Sequence, residues 1–142
     1  MPTDNTLKRF LDAQEANYSD ALTEIKRGKK QTHWMWYVFP QIAGLGFSET
    51  AKYYSIHDLT EANAYLAHPL LKKRLIDISH AMLAIDGKTA NQVLGSPDDM
   101  KLKSSMTLFG SLPNTDPVFQ AVLDKFYNGE KDQKTVAILN RL

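Results

Sequence analysis

A chain of 142 residues without a cysteine buries about two-thirds of its unfolded surface on folding, and does so without disulfides or thiolate metal ligands. Its 17 basic and 16 acidic residues leave a net charge of +1, so no global field selects nucleic acid or an anionic membrane as partner. The length fits one domain, residues 1–142. The opening MPTDNTLKRF lacks the charged-then-apolar pattern of a secretory signal. The longest apolar-looking run, Met35 to Phe47, is broken by Pro40, Gln41 and two glycines and falls short of the roughly 20 residues that span a bilayer. A cytoplasmic protein is expected.

Leu7, Phe10, Leu11, Ala13, Tyr18, Leu22 and Ile25 recur at helical spacing, which predicts a first helix from about Thr6 to Arg27, stopped by Gly28. Lys8, Glu15, Asp20, Glu24 and Lys26 are expected on its polar face, and a basic junction, Lys26 to Lys30, follows. His33 to Gln41 is continuously bulky rather than periodic, so it is either a short buried helix or a buried strand, with Pro40 ending it. Ile42 to Phe47 reads as a turn. Ser48 is expected to cap a short helix through Tyr54, and Thr60 another from Glu61 to Ala67.

His68-Pro69 opens the clearest central helix, with Leu71, Leu75, Ile78, Met82 and Ile85 as its stripe and Asp86-Gly87 as its end. Thr89 to Leu94 reads as one or two turns closed by Gly95. Ser96-Pro97-Asp98-Asp99 is a start signal, with Ser96 as cap and acids at the positive helix end. Asp116-Pro117 repeats that grammar for a helix to Tyr127, terminated by Gly129, and Asp132 begins a last short helix towards Leu142. The fold class expected is all-α: a single compact multihelical domain of about seven or eight mostly short helices, not a plain four-helix bundle.

Three blocks carry a resemblance: HWMWYVFPQIAGLG from His33 to Gly46, then Ala62-x-x-Tyr65-Leu66-x-His68-Pro69-x-Leu71, then Lys101 to Phe109, KLKSSMTLF. With these blocks in this order, the chain resembles the family called domain of unknown function 1810. Lys103 departs from the pattern, standing where arginine is common; the charge stays but the planar fork is lost. The resemblance implies a mainly helical, single-domain protein and implies no activity. A more distant similarity is to small helical proteins that process ADP-ribose derivatives.

Two blocks carry chemistry. Trp34 and Trp36 offer flat faces for stacking, His33 a proton or hydrogen bond, and Gln41 a two-way amide. Core filling is the competing account of the tryptophans. On the helix after Ser96, Lys101, Ser104 and Ser105 lie close together at i, i+3 and i+4, with Lys103 nearby, as a phosphate-binding group or as packing serines with solvated lysines. His33, His57, His68 and His80 lack the spacing of a zinc helix, so no metal site is expected, and His80 is expected to pair with Asp77. No cofactor is named by any motif. The function expected is a binding domain for a small nucleotide-like or anionic metabolite, held by His33, Trp34, Trp36, Gln41, Lys101, Lys103, Ser104 and Ser105. The alternatives are a non-enzymatic protein-interaction module using the Trp-rich block and an enzyme acting on ADP-ribose-like derivatives.

Overall fold

Local caps decide where this chain turns, and apolar stripes decide what each helix faces. In the computed structural model, which describes residues 4–142 and side chains from Leu7 onward, helix α1 runs over Asp4–Lys26. The bulky stretch resolves as a single helical turn, α2 (Met35–Val38). Ser48 caps α3 (Glu49–Tyr53) by accepting from the Ala51 amide. Helix α4 (Leu59–Ala67) starts before the expected Thr60, because the Asp58 carboxylate accepts from the Glu61 amide and so caps it. Helix α5 (Pro69–Leu83) opens on proline with His68 as cap.

Thr89 and Gln92 close a reciprocal capping box on α6 (Ala90–Leu94). Helix α7 (Asp98–Gly110) begins on Pro97 without a side-chain cap, so the expected role of Ser96 is not met. Asp98 and Asp99 in its first turn face the positive end of the dipole instead. Helix α8 (Val118–Tyr127) ends on Asn128 in the left-handed region, φ 56°, and Asp132 caps α9 (Gln133–Arg141). The described residues thus form nine helices and no strand ladder; Ile42 and Ile56 alone form an isolated parallel bridge.

Helix α5 lies at the centre, packed against α1, α4 and α8, while α7 packs against α6, α8 and α9. Leu71, Leu75, Ile78 and Met82 turn inward from α5 as the stripe requires. An aromatic series crosses the interior: Phe10 meets Tyr65 edge-on at 5.2 Å, Tyr65 meets Phe109 at 5.2 Å, and Phe109 meets Phe119 at 6.0 Å. These rings tie α1, α4, α7 and α8 into one core.

Two buried polar junctions fix the connections. Glu24, expected on the polar face of α1, is only 6% exposed. Its carboxylate accepts from the Gln31 and Thr32 amides at 2.7 and 2.9 Å, the Thr32 hydroxyl at 2.6 Å and the Trp34 indole at 2.9 Å. Burial works to raise the Glu24 pKa, but these four donors outweigh it and hold the carboxyl down at about 2 against an ordinary 4.5. The second junction joins Arg9 to Glu61 at 2.7 Å, both nearly buried. Arg9 also donates to the carbonyls of Tyr53 and Ser55, and Glu61 accepts from the His57 amide. Asp77, expected to pair with His80, pairs instead with Lys73 at 2.5 Å.

Candidate functional site

A cleft of about 450 Å³ opens where the loop after α2 passes the first turns of α7 and α9. Gln41, Lys101, Ser104, Asp132 and Lys134 supply its polar wall. Leu45, Gly46, Pro97 and Met100 supply the apolar one. The first turns of both helices border it, so the positive ends of two dipoles lie beside the space, although the Asp99, Met100, Lys101 and Thr135 amides already have acceptors at Gly95, Pro97 and Asp132. The loop reaches the cleft with little room for side chains. A Cβ on Gly46 would stand 2.5 Å from the Ala51 Cβ, and Gly44, at φ +106°, lies against Ile138.

The two blocks marked in the sequence meet through a chain of alternating contacts. The Lys30 ammonium stands 5.2 Å from the centre of the Trp34 ring and 3.0 Å from Asp98. Asp98 in turn pairs with Lys101 at 3.5 Å, and Lys101 stands 5.1 Å from the centre of the Trp36 ring. Cation–π contact and ion pairing therefore link both tryptophans to the start of α7. Lys101 is the hinge of this arrangement, since it touches Trp36 and also lines the cleft.

The expected site residues divide as follows. Gln41, Lys101 and Ser104 come together in the cleft. Trp36 is half-buried beside them, beneath Lys101. Trp34 does not offer a face to a ligand: it is 1% exposed and its indole N–H is held by Glu24, so it is a core residue. His33 is exposed and does not line the cleft; its carbonyl accepts from the Tyr37 hydroxyl. Lys103 points elsewhere, 3.9 Å from Glu130 and 5.9 Å from the centre of the Tyr127 ring. Ser105 is fully buried, and its hydroxyl has no hydrogen-bond partner among the described residues. Ser104 and Ser105 are neighbours in sequence on a helix, about 100° apart around its axis, so the cleft admits only one of them.

Ser104 itself is committed to structure. Its hydroxyl lies 3.1 Å from both the Met100 carbonyl and the Asp132 carboxylate. Asp132 also accepts from the Thr135 amide at 3.0 Å and hydroxyl at 2.5 Å, and its own amide donates to Thr107 at 2.9 Å. This web locks α9 onto α7. What remains to face a ligand is the Gln41 amide and the ammonium groups of Lys101 and Lys134, with Leu45 on the loop and Met100 on α7 as apolar neighbours.

Sequence reasoning missed Lys30, Asp98, Met100 and Lys134 as members of this region. Lys30 and Lys134 look like ordinary surface lysines, and Asp98 like a routine helix-start acid. Only Asp132 carried a local signal, and that signal concerned capping. Among the described residues no group of three or more histidine, aspartate and glutamate side chains is placed to hold a metal ion. No helix among them is long and apolar enough to cross a membrane.

A comparison with curated proteins finds no match. Among solved structures, the chain is similar to the conserved hypothetical protein Rv1873 from Mycobacterium tuberculosis, with 45% identity and a TM-score of 0.92 over 94% of this chain and 96% of that one. Residues 4–139 match the family described as protein of unknown function, DUF1810. A match over that span, running from the start of α1 into α9, covers every element that builds the cleft, and the chain belongs to the DUF1810 family.

Proposed function

We propose that the cleft between the 41–46 loop and the first turns of α7 and α9 binds a small anionic, nucleotide-like metabolite. One observation carries this reading: two helix N-termini and the ammonium groups of Lys101 and Lys134 border a single cleft. The positive ends of helix dipoles and ammonium groups favour phosphate or carboxylate oxygens. The volume, about 450 Å³, lies within the range of small-molecule sites, roughly 300–1,000 Å³. With Asp98 and Asp132 counted against Lys30, Lys101 and Lys134, one positive charge remains in surplus, and Lys134 has no ion pair among the described residues. Asp98 already serves Lys30 and Lys101, while Asp132 is engaged by Ser104 and Thr135. Pro97, Leu45 and Met100 add an apolar wall suited to a planar ring. The Trp-rich block gives little support to a partner-binding surface, since Trp34, Tyr37 and Phe39 are buried and Trp36 is half-buried.

Calorimetric titration and thermal shift of the full chain with pyrophosphate, ADP, ADP-ribose and NAD test this. A ligand at about 100 times its dissociation constant adds about 2.7 kcal/mol to stability. Saturable binding that Lys101→Ala or Lys134→Ala weakens by about tenfold or more, roughly 1.4 kcal/mol, supports the site. Binding indifferent to both substitutions, or no binding across the panel, overturns it.

A further inference from the structure

The wall of the cleft supplied by the loop is built unlike the other walls. Residues 43–55 leave and re-enter the core at one point, the bridge between Ile42 and Ile56, whose side chains are 1% and 0% exposed. The Ala43 amide donates to the Ile56 carbonyl and the Ile56 amide to the Gln41 carbonyl, each at 2.8 Å. Between those pinned ends no residue from Ala43 to Ser55 is buried. The segment is therefore an Ω-shaped excursion from a buried neck, its body touching the core only through the half-buried Leu45 and Tyr54.

Its two limbs differ. The returning limb is fastened: Arg9 donates to the Tyr53 and Ser55 carbonyls, each at 2.9 Å, and the Tyr54 ring packs 5.0 Å from that of Tyr37. The advancing limb, 44–52, keeps its hydrogen bonds inside the loop among the described residues, chiefly through the Ser48 cap and the turn of α3. Phe47 sits on this limb, next to Gly46 of the cleft wall, and is 86% exposed. Across the cleft, Met100 is 48% exposed. Met100 thus lines the concavity, and Phe47, which does not, stands one residue from its wall, where either would gain by covering an apolar group.

We infer that residues 44–52 form a lid over the cleft, swinging between the Ile42 side of the neck and the fastened Tyr53, and that Phe47 covers a planar, apolar portion of the bound ligand. The inference rests on the binding role proposed for this cleft and specifies it. The ligand carries a ring in addition to its anionic group, with the ring between Met100 and Phe47 and the anion at Lys101 and Lys134. A nucleotide satisfies this and inorganic pyrophosphate does not.

Hydrogen exchange of the full chain, read by mass spectrometry, compares peptides over 44–52 with those over α5, free and with ADP. A lid exchanges about 100-fold faster than α5 in the free protein, because opening it uncovers only the half-buried Leu45 and no fully buried residue, and slows by about tenfold or more when ADP is bound. In parallel, Phe47→Ala weakens ADP by about tenfold, the size of one aromatic–base stack, and leaves pyrophosphate within about twofold. Exchange over 44–52 as slow as in α5 overturns the lid. So does ADP binding that leaves that exchange unchanged. Equal losses of ADP and pyrophosphate on Phe47→Ala overturn the role of Phe47, as does no loss of either. If neither compound binds the unsubstituted chain, the binding role of the cleft falls, and the lid as a ligand cover falls with it. ADP and pyrophosphate binding with an unresponsive loop leaves the cleft standing and removes only the lid.

Discussion

Replacing Glu24 by glutamine removes one negative charge from the α1–α2 junction and little else. The amide oxygen still accepts from Gln31, Thr32 and Trp34, and the Thr32 hydroxyl turns to accept from the new NH₂. The carboxyl ionises at about 2 in the folded protein and at an ordinary 4.5 when unfolded. At about 1.4 kcal/mol per tenfold change in proton affinity, the charged form contributes no more than roughly 3 kcal/mol. Because the folded value is depressed, that contribution is complete above pH 4.5 and is lost as pH falls from there towards about 2. Glu24→Gln therefore lowers Tm at pH 7 by up to roughly 10 °C in a domain of this size. The gap from the unsubstituted chain should narrow steadily below pH 4.5. Paired thermal melts from pH 7 down to the lowest pH at which both chains fold measure that gap, free of the acid sensitivity they share. A gap of the same size at pH 6 and pH 3, or none at pH 7, would refute the account of Glu24 as an ionised, donor-saturated anchor.

The tryptophans should separate cleanly: Trp34→Ala costs about 3–5 kcal/mol in urea melts, and Trp36→Ala, half-buried, roughly half as much; equal costs would contradict the placement. Glu61→Ala strands the nearly buried Arg9 cation and should cost about 3–5 kcal/mol, with faster hydrogen exchange over 53–57; a loss below about 1 kcal/mol would make that pair dispensable. Ser105→Ala removes a buried hydroxyl that has no partner among the described residues, so stability should hold or rise by about 1 kcal/mol. A loss of similar size on denaturant titration would show that the Ser105 hydroxyl is in fact satisfied.

Much of the helical framework is legible because capping is local. A side chain at Ser48, Thr89 or Asp132 bonds an amide three residues on, so the signal and its effect lie within one turn. The same locality explains the misses. Asp58 and Thr60 are both good caps two residues apart, and the earlier one wins by reaching the Glu61 amide. Glu24 sits at a position that helical spacing leaves ambiguous, and its burial follows from donors on residues 31–34 that fold back over it.

The cleft was legible only in part. Gln41, Lys101 and Ser104 stood out because their blocks are unusual in composition. Lys134 and Met100 did not, since a lysine in a helix's first turn and a methionine on a polar face have many uses. Ser105 was grouped with Lys101 by i, i+4 spacing and Lys103 by nearness along the chain, yet packing takes Ser105 into the core and rotation about the helix turns Lys103 towards Glu130.

By itself the sequence determined an all-helical domain, where most of its helices begin, and two unusual blocks, because periodicity and capping act over three or four residues. The tertiary structure decided which face of each block meets the other. Ion pairs and cation–π contacts from Trp34 through Lys30, Asp98 and Lys101 to Trp36 join the 30–36 stretch to the start of α7. The Asp98–Lys101 link follows from i, i+3 spacing, but Lys30–Asp98 and Lys101–Trp36 depend on how α7 packs beside the 30–36 stretch, and no spacing along the chain encodes them.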